Sequence, residues 1–195
     1  MEDWSLSNRM FTSIVRRYGT PDVDLMASNT SRKTPFFYSW SREDTEALAL
    51  DSLSQDINWA GWELPYLFPP FSLIGSCLNK IRDQEVSRVV MILPYWPGKP
   101  WFSTMQEMLI DIRRLPVFKT LVLDLKTGNP PPNLAACRLV VCLLTGKPEG
   151  QDCHKEPQNL WKQAGGSRQR PSIPAVGEDG QFGPPCMEYH QLRLL

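Results

Sequence analysis

Apolar positions recur along the first three-quarters of the chain in two alternating rhythms. Over residues 5–18, Leu6, Met10, Phe11, Ile14 and Val15 fall on one face of a helix. Ser5 or Ser7 can cap its start, and Gly19 can end it. Residues 23–27 form a short apolar run after Pro21 and read as a strand whose end carries Ser28 and Asn29. Residues 64–68 read as a second strand. Pro69 and Pro70 must end it, because proline cannot donate to a sheet ladder. Residues 72–82 then place Leu73, Ile74, Cys77, Leu78 and Ile81 on one side of a helix. Residues 87–93 (SRVVMIL) carry a continuous β-branched run, as a buried parallel strand does. A helical turn is predicted over 42–48, an amphipathic helix over 101–113 and a strand over 118–125. Residues 134–144 fit strand or helix equally well. Strand–helix alternation of this kind predicts an α/β domain with a mainly parallel sheet.

Composition divides the chain in two. Residues 1–145 hold six of the seven tryptophans and carry the periodic segments, so they are expected to form the folded domain. Residues 146–195 contain six prolines and seven glycines, with Trp161 as the sole large aromatic anchor over 146–172, and predict a mostly disordered tail. Formal net charge is zero and the basic residues are scattered, so charge gives no general case for nucleic acid. Five cysteines, odd in number and without CxxC spacing, argue against structural zinc and for reduced thiols inside the cell. The start Met1-Glu2-Asp3-Trp4 lacks a secretory leader pattern, and no apolar run approaches the ~18 residues of a membrane span. A soluble intracellular protein of nucleus or cytoplasm, with no membrane association, is the expectation.

Candidate chemistry clusters at strand ends. Asp22 and Asp24 flank a short strand, where carboxylates can accept from nucleotide hydroxyls or an ammonium group; solvated aspartates explain them as readily. Neither a GxGxxG loop nor a GxxxxGK[ST] loop is present. The turn Phe68-Pro69-Pro70-Phe71 offers backbone carbonyls to an exocyclic amine and an aromatic ring to stack on a flipped base. Its plainer reading is a strand cap with core phenylalanines. The segment from Leu93 to Phe102 sets Tyr95, Trp96, Lys99 and Trp101 in a proline-rich loop, a candidate stacking and phosphate-contact platform for nucleic acid. Docking of Trp101 and Phe102 on the next helix is the plainer alternative. Both histidines, His154 and His190, fall in the tail, which leaves a nucleophile–histidine dyad without a home. Asp22, Asp24, Asp51 and Asp56 could be combined into a two-metal site, or Asp22, Asp24 and Asp51 into a nuclease of the RNase H class, but no metal is expected.

Five segments in fixed order carry a resemblance: GTPDVDLMAS (19–28), TPFFYSW (34–40), LALDSLSQDINW (48–59), YLFPPFSLI (66–74) and VVMILPYWPGKPWF (89–102). Together, over roughly residues 3–125, they resemble the Dam-like DNA adenine methyltransferase domain. The version most similar is that of DIRS-type tyrosine-recombinase retrotransposon polyproteins, where it follows reverse transcriptase and RNase H. The resemblance implies a three-layer, mainly parallel Rossmann-like methyltransferase sheet that uses S-adenosylmethionine and no metal. The sheet is expected to be truncated, since few strand candidates follow residue 102. By the same resemblance Asp22, Asp24, Ala27 and Ser28 line the cofactor pocket, and Phe68, Pro69, Pro70 and Phe71 form the base-binding turn. Active relatives place Asp, Asn or Ser first in that turn, where its oxygen accepts from the amine. Phe68 cannot, so weak or absent transfer to DNA is expected. The competing expectation is a non-catalytic module that binds nucleic acid or retroelement replication proteins.

Overall fold

A computed structural model describes residues 4–132 and 134–147 and the backbone of 193–194. The predicted tail otherwise lies outside the described residues, as do Cys153, His154, Trp161, Cys186 and His190. Among the described residues nine strands and four helices follow in order: β1 (Trp4–Leu6), α1 (Asn8–Tyr18), β2 (Val23–Ala27), β3 (Phe36–Ser39), β4 (Pro65–Leu67), α2 (Ile74–Asp83), β5 (Val89–Pro94), α3 (Phe102–Glu107), β6 (Leu109–Arg114), β7 (Val122–Asp124), α4 (Leu134–Cys137), β8 (Leu139–Leu144) and β9 (Arg193–Leu194).

Seven strands form the main sheet in the order β3-β2-β4-β5-β8-β6-β9. The first four run parallel, β8 is antiparallel to both neighbours, and β9 is parallel to β6. From β2 the chain passes to one side to make β3, then crosses to the other side of β2 to make β4. The sheet therefore has a topological switch point between β2 and β4, where open α/β sheets form a crevice at the carboxyl ends of the strands. This is the mainly parallel, Rossmann-like α/β sheet that the sequence predicts.

Side chains of β5 and β8 alternate between two cores, which makes the domain three layers thick. Val89, Met91, Leu93, Val140, Cys142 and Leu144 pack with Ile74, Cys77, Leu78 and Ile81 of α2 and with Phe102 and Met105 of α3. On the other face Val90, Ile92, Leu139, Val141 and Leu143 pack with Met10, Ile14 and Tyr18 of α1 and with Leu134 and Cys137 of α4. Trp59 is fully buried in the first core; its indole N–H donates to the Ser52 carbonyl at 2.9 Å.

Several sequence expectations need correction. Ser5 and Leu6, predicted to open the helix, belong instead to strand β1, paired antiparallel with β7, and the helix starts at Asn8. Ser7 caps it by accepting from the Met10 amide at 3.4 Å, and Gly19 ends it at φ 101°, a conformation that favours glycine. The helix predicted over 101–113 stops at Glu107, and its second half is β6. Pairing along the full length of β8 supplies backbone bonds that outweigh the helical spacing. The ambiguous segment 134–144 is both elements in turn: Arg138, at φ 48°, breaks α4 from β8. Residues 42–48 form successive turns and no helix, while β3, which the periodicity missed, is the edge strand. Gly146 belongs to the domain and not the tail. Its amide donates to the Val86 carbonyl at 2.8 Å, and a Cβ there would lie 1.9 Å from the Ile81 carbonyl oxygen.

Candidate functional site

A cavity of about 800 Å³ opens at the carboxyl ends of β2, β3 and β4, at the switch point. Its volume is in the range of small-molecule sites. Three strand-end segments build it.

The first follows β2. Ala27 is buried at the strand's last position, and Ser28 begins a tight turn. The Ser28 amide donates to the Ser31 hydroxyl at 2.7 Å, and the Ser31 amide to the Ser28 hydroxyl at 3.1 Å. Met26, Ala27, Ser28, Thr30 and Ser31 all line the cavity. Asp24 holds this turn from within the fold. It is 2% exposed and accepts from the Met26 amide at 3.3 Å and from the Lys33 amide at 3.1 Å. Burial pushes its carboxyl up to about 7, with the two amide bonds and the Lys33 charge pulling the other way. Tyr66, its partner across β4, has a buried hydroxyl with no hydrogen bond, and burial followed by the Asp24 charge raises that phenol well above its ordinary value.

The second segment follows β3. The Ser39 hydroxyl donates to Asp44 and accepts from the Ser41 amide at 3.0 Å, which folds residues 40–44 over the strand end. Trp40, Ser41, Glu43 and Asp44 thereby reach the cavity wall.

The third is the double-proline turn after β4. Phe68, Pro69, Pro70 and Ser72 line the cavity. The Pro70 carbonyl accepts from the Leu73 amide at 2.9 Å and starts the turn into α2. Phe71 faces elsewhere. Its ring stands edge-on between Trp4, 5.5 Å away, and Trp96, 5.2 Å away. Trp4 and Lys126, which lie on and just beyond the β1–β7 ribbon, complete the wall.

The structure thus brings Ala27 and Ser28 together with Phe68, Pro69 and Pro70. It does not bring Asp22 or Asp24 into the cavity. Asp22 lies at the amino end of β2 and accepts from the Glu63 and Leu64 amides at 2.7 and 3.1 Å, fixing the entry to β4. Nor does the loop after β5 form an open platform. Tyr95 is buried against Phe102, Trp96 packs on Phe71, and Trp101 leans on Phe102; of these four candidate residues only Lys99, 5.6 Å from the Trp96 ring centre, is exposed. The proposed grouping of Asp22, Asp24, Asp51 and Asp56 does not occur either: no cluster of three metal-ligating side chains exists among the described residues. Burial raises the Cys77 thiol to about 12 and the Cys142 thiol still further, which disfavours the thiolate of both. Periodicity gave no hint of Trp4, Trp40, Glu43 or Asp44. The cue available was the polar run Ser39-Trp40-Ser41-Arg42-Glu43-Asp44 directly after an aromatic segment.

The fold and the cavity define an α/β domain with a ligand-sized crevice at its switch point. No family model and no curated protein matches the sequence. Among solved structures, the chain is similar to a predicted O-methyltransferase of Agrobacterium tumefaciens, with a TM-score of 0.38 and 9% identity over 65% of this chain and 74% of that one. A likeness so distant says nothing about activity. Among the described residues no helix is long and apolar enough to cross a membrane.

Proposed function

We propose that this domain binds S-adenosylmethionine in the switch-point cavity, and that it is a retroelement-type, Dam-like adenine methyltransferase fold with little or no transfer activity. The observation that carries the reading is the convergence of three strand ends on one cavity. Ala27 and Ser28 come from β2, Trp40 to Asp44 from β3, and Phe68 to Pro70 from β4. The residues present suit the cofactor. Hydroxyls and carboxylates of Ser41, Glu43 and Asp44 can accept from ribose hydroxyls and the amino-acid ammonium, and Trp40 supplies an aromatic ring in the same wall for the adenine. When bound, the cofactor supplies an activated methyl group on a sulfonium.

The chain's own contribution to transfer is deficient at one position. An acceptor at the head of the double-proline turn would take a hydrogen bond from the adenine amine and keep its lone pair aimed at the methyl group. Phe68 has no such atom, and one missing bond in a desolvated site costs about 1–3 kcal/mol. Phe71, the expected stacking ring, is occupied between two tryptophans. DNA with an extruded adenine is the substrate the resemblance implies, and Phe68 is the residue that withholds the reaction.

Calorimetric titration of the full chain with S-adenosylmethionine tests the reading, with Trp40→Ala and Ser28→Trp as cavity controls. Micromolar binding lost in both variants is the expected result. A folded wild-type chain that takes up no cofactor ends the proposal.

A further inference from the structure

The cavity wall carries three aromatic rings, Trp4, Trp40 and Phe68, and two carboxylates, Glu43 and Asp44, against one ammonium group, that of Lys126. Aromatic faces attract cations, and the attraction strengthens where water is excluded. Carboxylates add to it in sign. The same wall repels phosphates: it holds no arginine and no glycine-rich cradle of backbone amides. Phe68 is the informative member. Where a transferring enzyme needs a polar acceptor, this chain places a half-buried ring in the cavity wall beside Pro69.

We infer that the cavity is selective for a cationic ligand, and that Phe68 makes it retain the sulfonium form of the cofactor in preference to the neutral thioether left after methyl loss. The inference rests on the cofactor reading above and goes beyond it. A transferring enzyme has to release its thioether product and gains nothing from a wall that prefers the charged donor. A domain that holds the donor without consuming it suits a binding role, in which occupancy follows the supply of methyl donor. Phe68 is then a specificity-determining residue, and its ring would act on the ligand's charge while leaving the adenosine contacts unchanged. Nucleoside diphosphates, which share the adenosine but carry negative charge, are excluded by the same wall.

The test is a calorimetric comparison on the full chain of S-adenosylmethionine, S-adenosylhomocysteine and adenosine diphosphate, for wild type, Phe68→Leu and Glu43→Gln. Wild type is expected to prefer the sulfonium over the thioether by about tenfold and to ignore the diphosphate. Phe68→Leu removes the ring while keeping an apolar side chain at a half-buried position. It should lower the ratio of sulfonium to thioether affinity severalfold. Glu43→Gln, at an exposed position, should reduce the ratio by a smaller factor. Equal wild-type affinity for sulfonium and thioether overturns the inference while leaving the cofactor site standing, as does a ratio that Phe68→Leu does not change. Binding of none of the three ligands overturns both readings together.

Discussion

Two aromatic, proline-rich segments leave neighbouring strands at the same edge of the sheet; the first lines the switch-point cavity and the second does not. Residues 68–71 follow β4 and residues 95–101 follow β5, and the two strands are paired parallel through Tyr66 and Val90. Their compositions are alike; their surroundings differ. On its far side β4 meets β2, from which the chain departs in the opposite direction, so the space between their ends stays open. On its far side β5 meets β8, which runs antiparallel and brings its own start to the same place. The Tyr95 amide donates to the Arg138 carbonyl there at 3.1 Å, and Leu139 pairs with Pro94. A strand-end loop becomes a site where the topology leaves room for one; elsewhere the same residues are drawn into the core.

The sharpest way to break this comparison is to truncate one ring on each side. Tyr95→Ala removes a ring that is 4% exposed and edge-on to Phe102 at 5.2 Å. It should destabilise the domain by about 3–5 kcal/mol in urea unfolding, as buried aromatic truncations do. A loss below about 1 kcal/mol would mean that the second loop is as open as the first.

Asp24 marks the cost of building the open side. Its carboxyl titrates near 7 in the folded protein and near 3.8 when unperturbed. Between those values the folded state binds more protons than the unfolded chain, so this group's contribution to stability is fully present in acid. It is lost as pH rises towards 7 and is level above that. Denaturant midpoints measured from acid to alkaline pH should therefore show a fall worth a few kcal/mol that Asp24→Asn abolishes. A slope that persists unchanged in the variant would assign the pH dependence to other groups.

Phe71 bridges the two segments, edge-on to Trp96 from the second loop and to Trp4 from the cavity wall. Being half-buried, its truncation to alanine should cost about 2 kcal/mol, less than Tyr95→Ala. It should also lower cofactor affinity measurably, through the displaced Trp4. An effect on stability with none on affinity would separate the aromatic cluster from the site.

Much of the scaffold was legible because it rests on local rules. The run at 23–27, the proline-terminated strand at 64–68 and the β-branched run within 87–93 each read correctly as strands, and Ser7 and Gly19 bound α1 as capping chemistry requires. What was not legible depends on pairing across long sequence distances. β6 was hidden in helical spacing because β8, some thirty residues later, decides its conformation. The site was half legible for the same reason. Phe68, Pro69 and Pro70 announce a turn by their own chemistry, and Ser28 marks a strand end. Trp4 and Asp44 join them only through the β1–β7 ribbon and the fold of residues 40–44. Asp24 misled in the opposite direction: a carboxylate in an apolar strand suggests a ligand contact, yet both its oxygens are spent on backbone amides.

The smallest effect on stability carries the most information about function. Phe68 lies at the cavity and is half-buried, so Phe68→Asn should change unfolding free energy by under about 1 kcal/mol. The asparagine supplies a carbonyl oxygen at the head of the double-proline turn, where the proposed function would have an adenine amine seek an acceptor. With tritiated S-adenosylmethionine and a DNA substrate, label should appear on adenine at a rate at least tenfold above wild type, since one regained hydrogen bond in a dry site is worth about 1–3 kcal/mol. A variant that folds, binds cofactor and still transfers nothing would move the defect from Phe68 to Phe71. That ring is clamped between Trp4 and Trp96 and cannot turn its face to a base without breaking both contacts, so the barrier would then lie in the packing that separates the two segments and not in the missing acceptor.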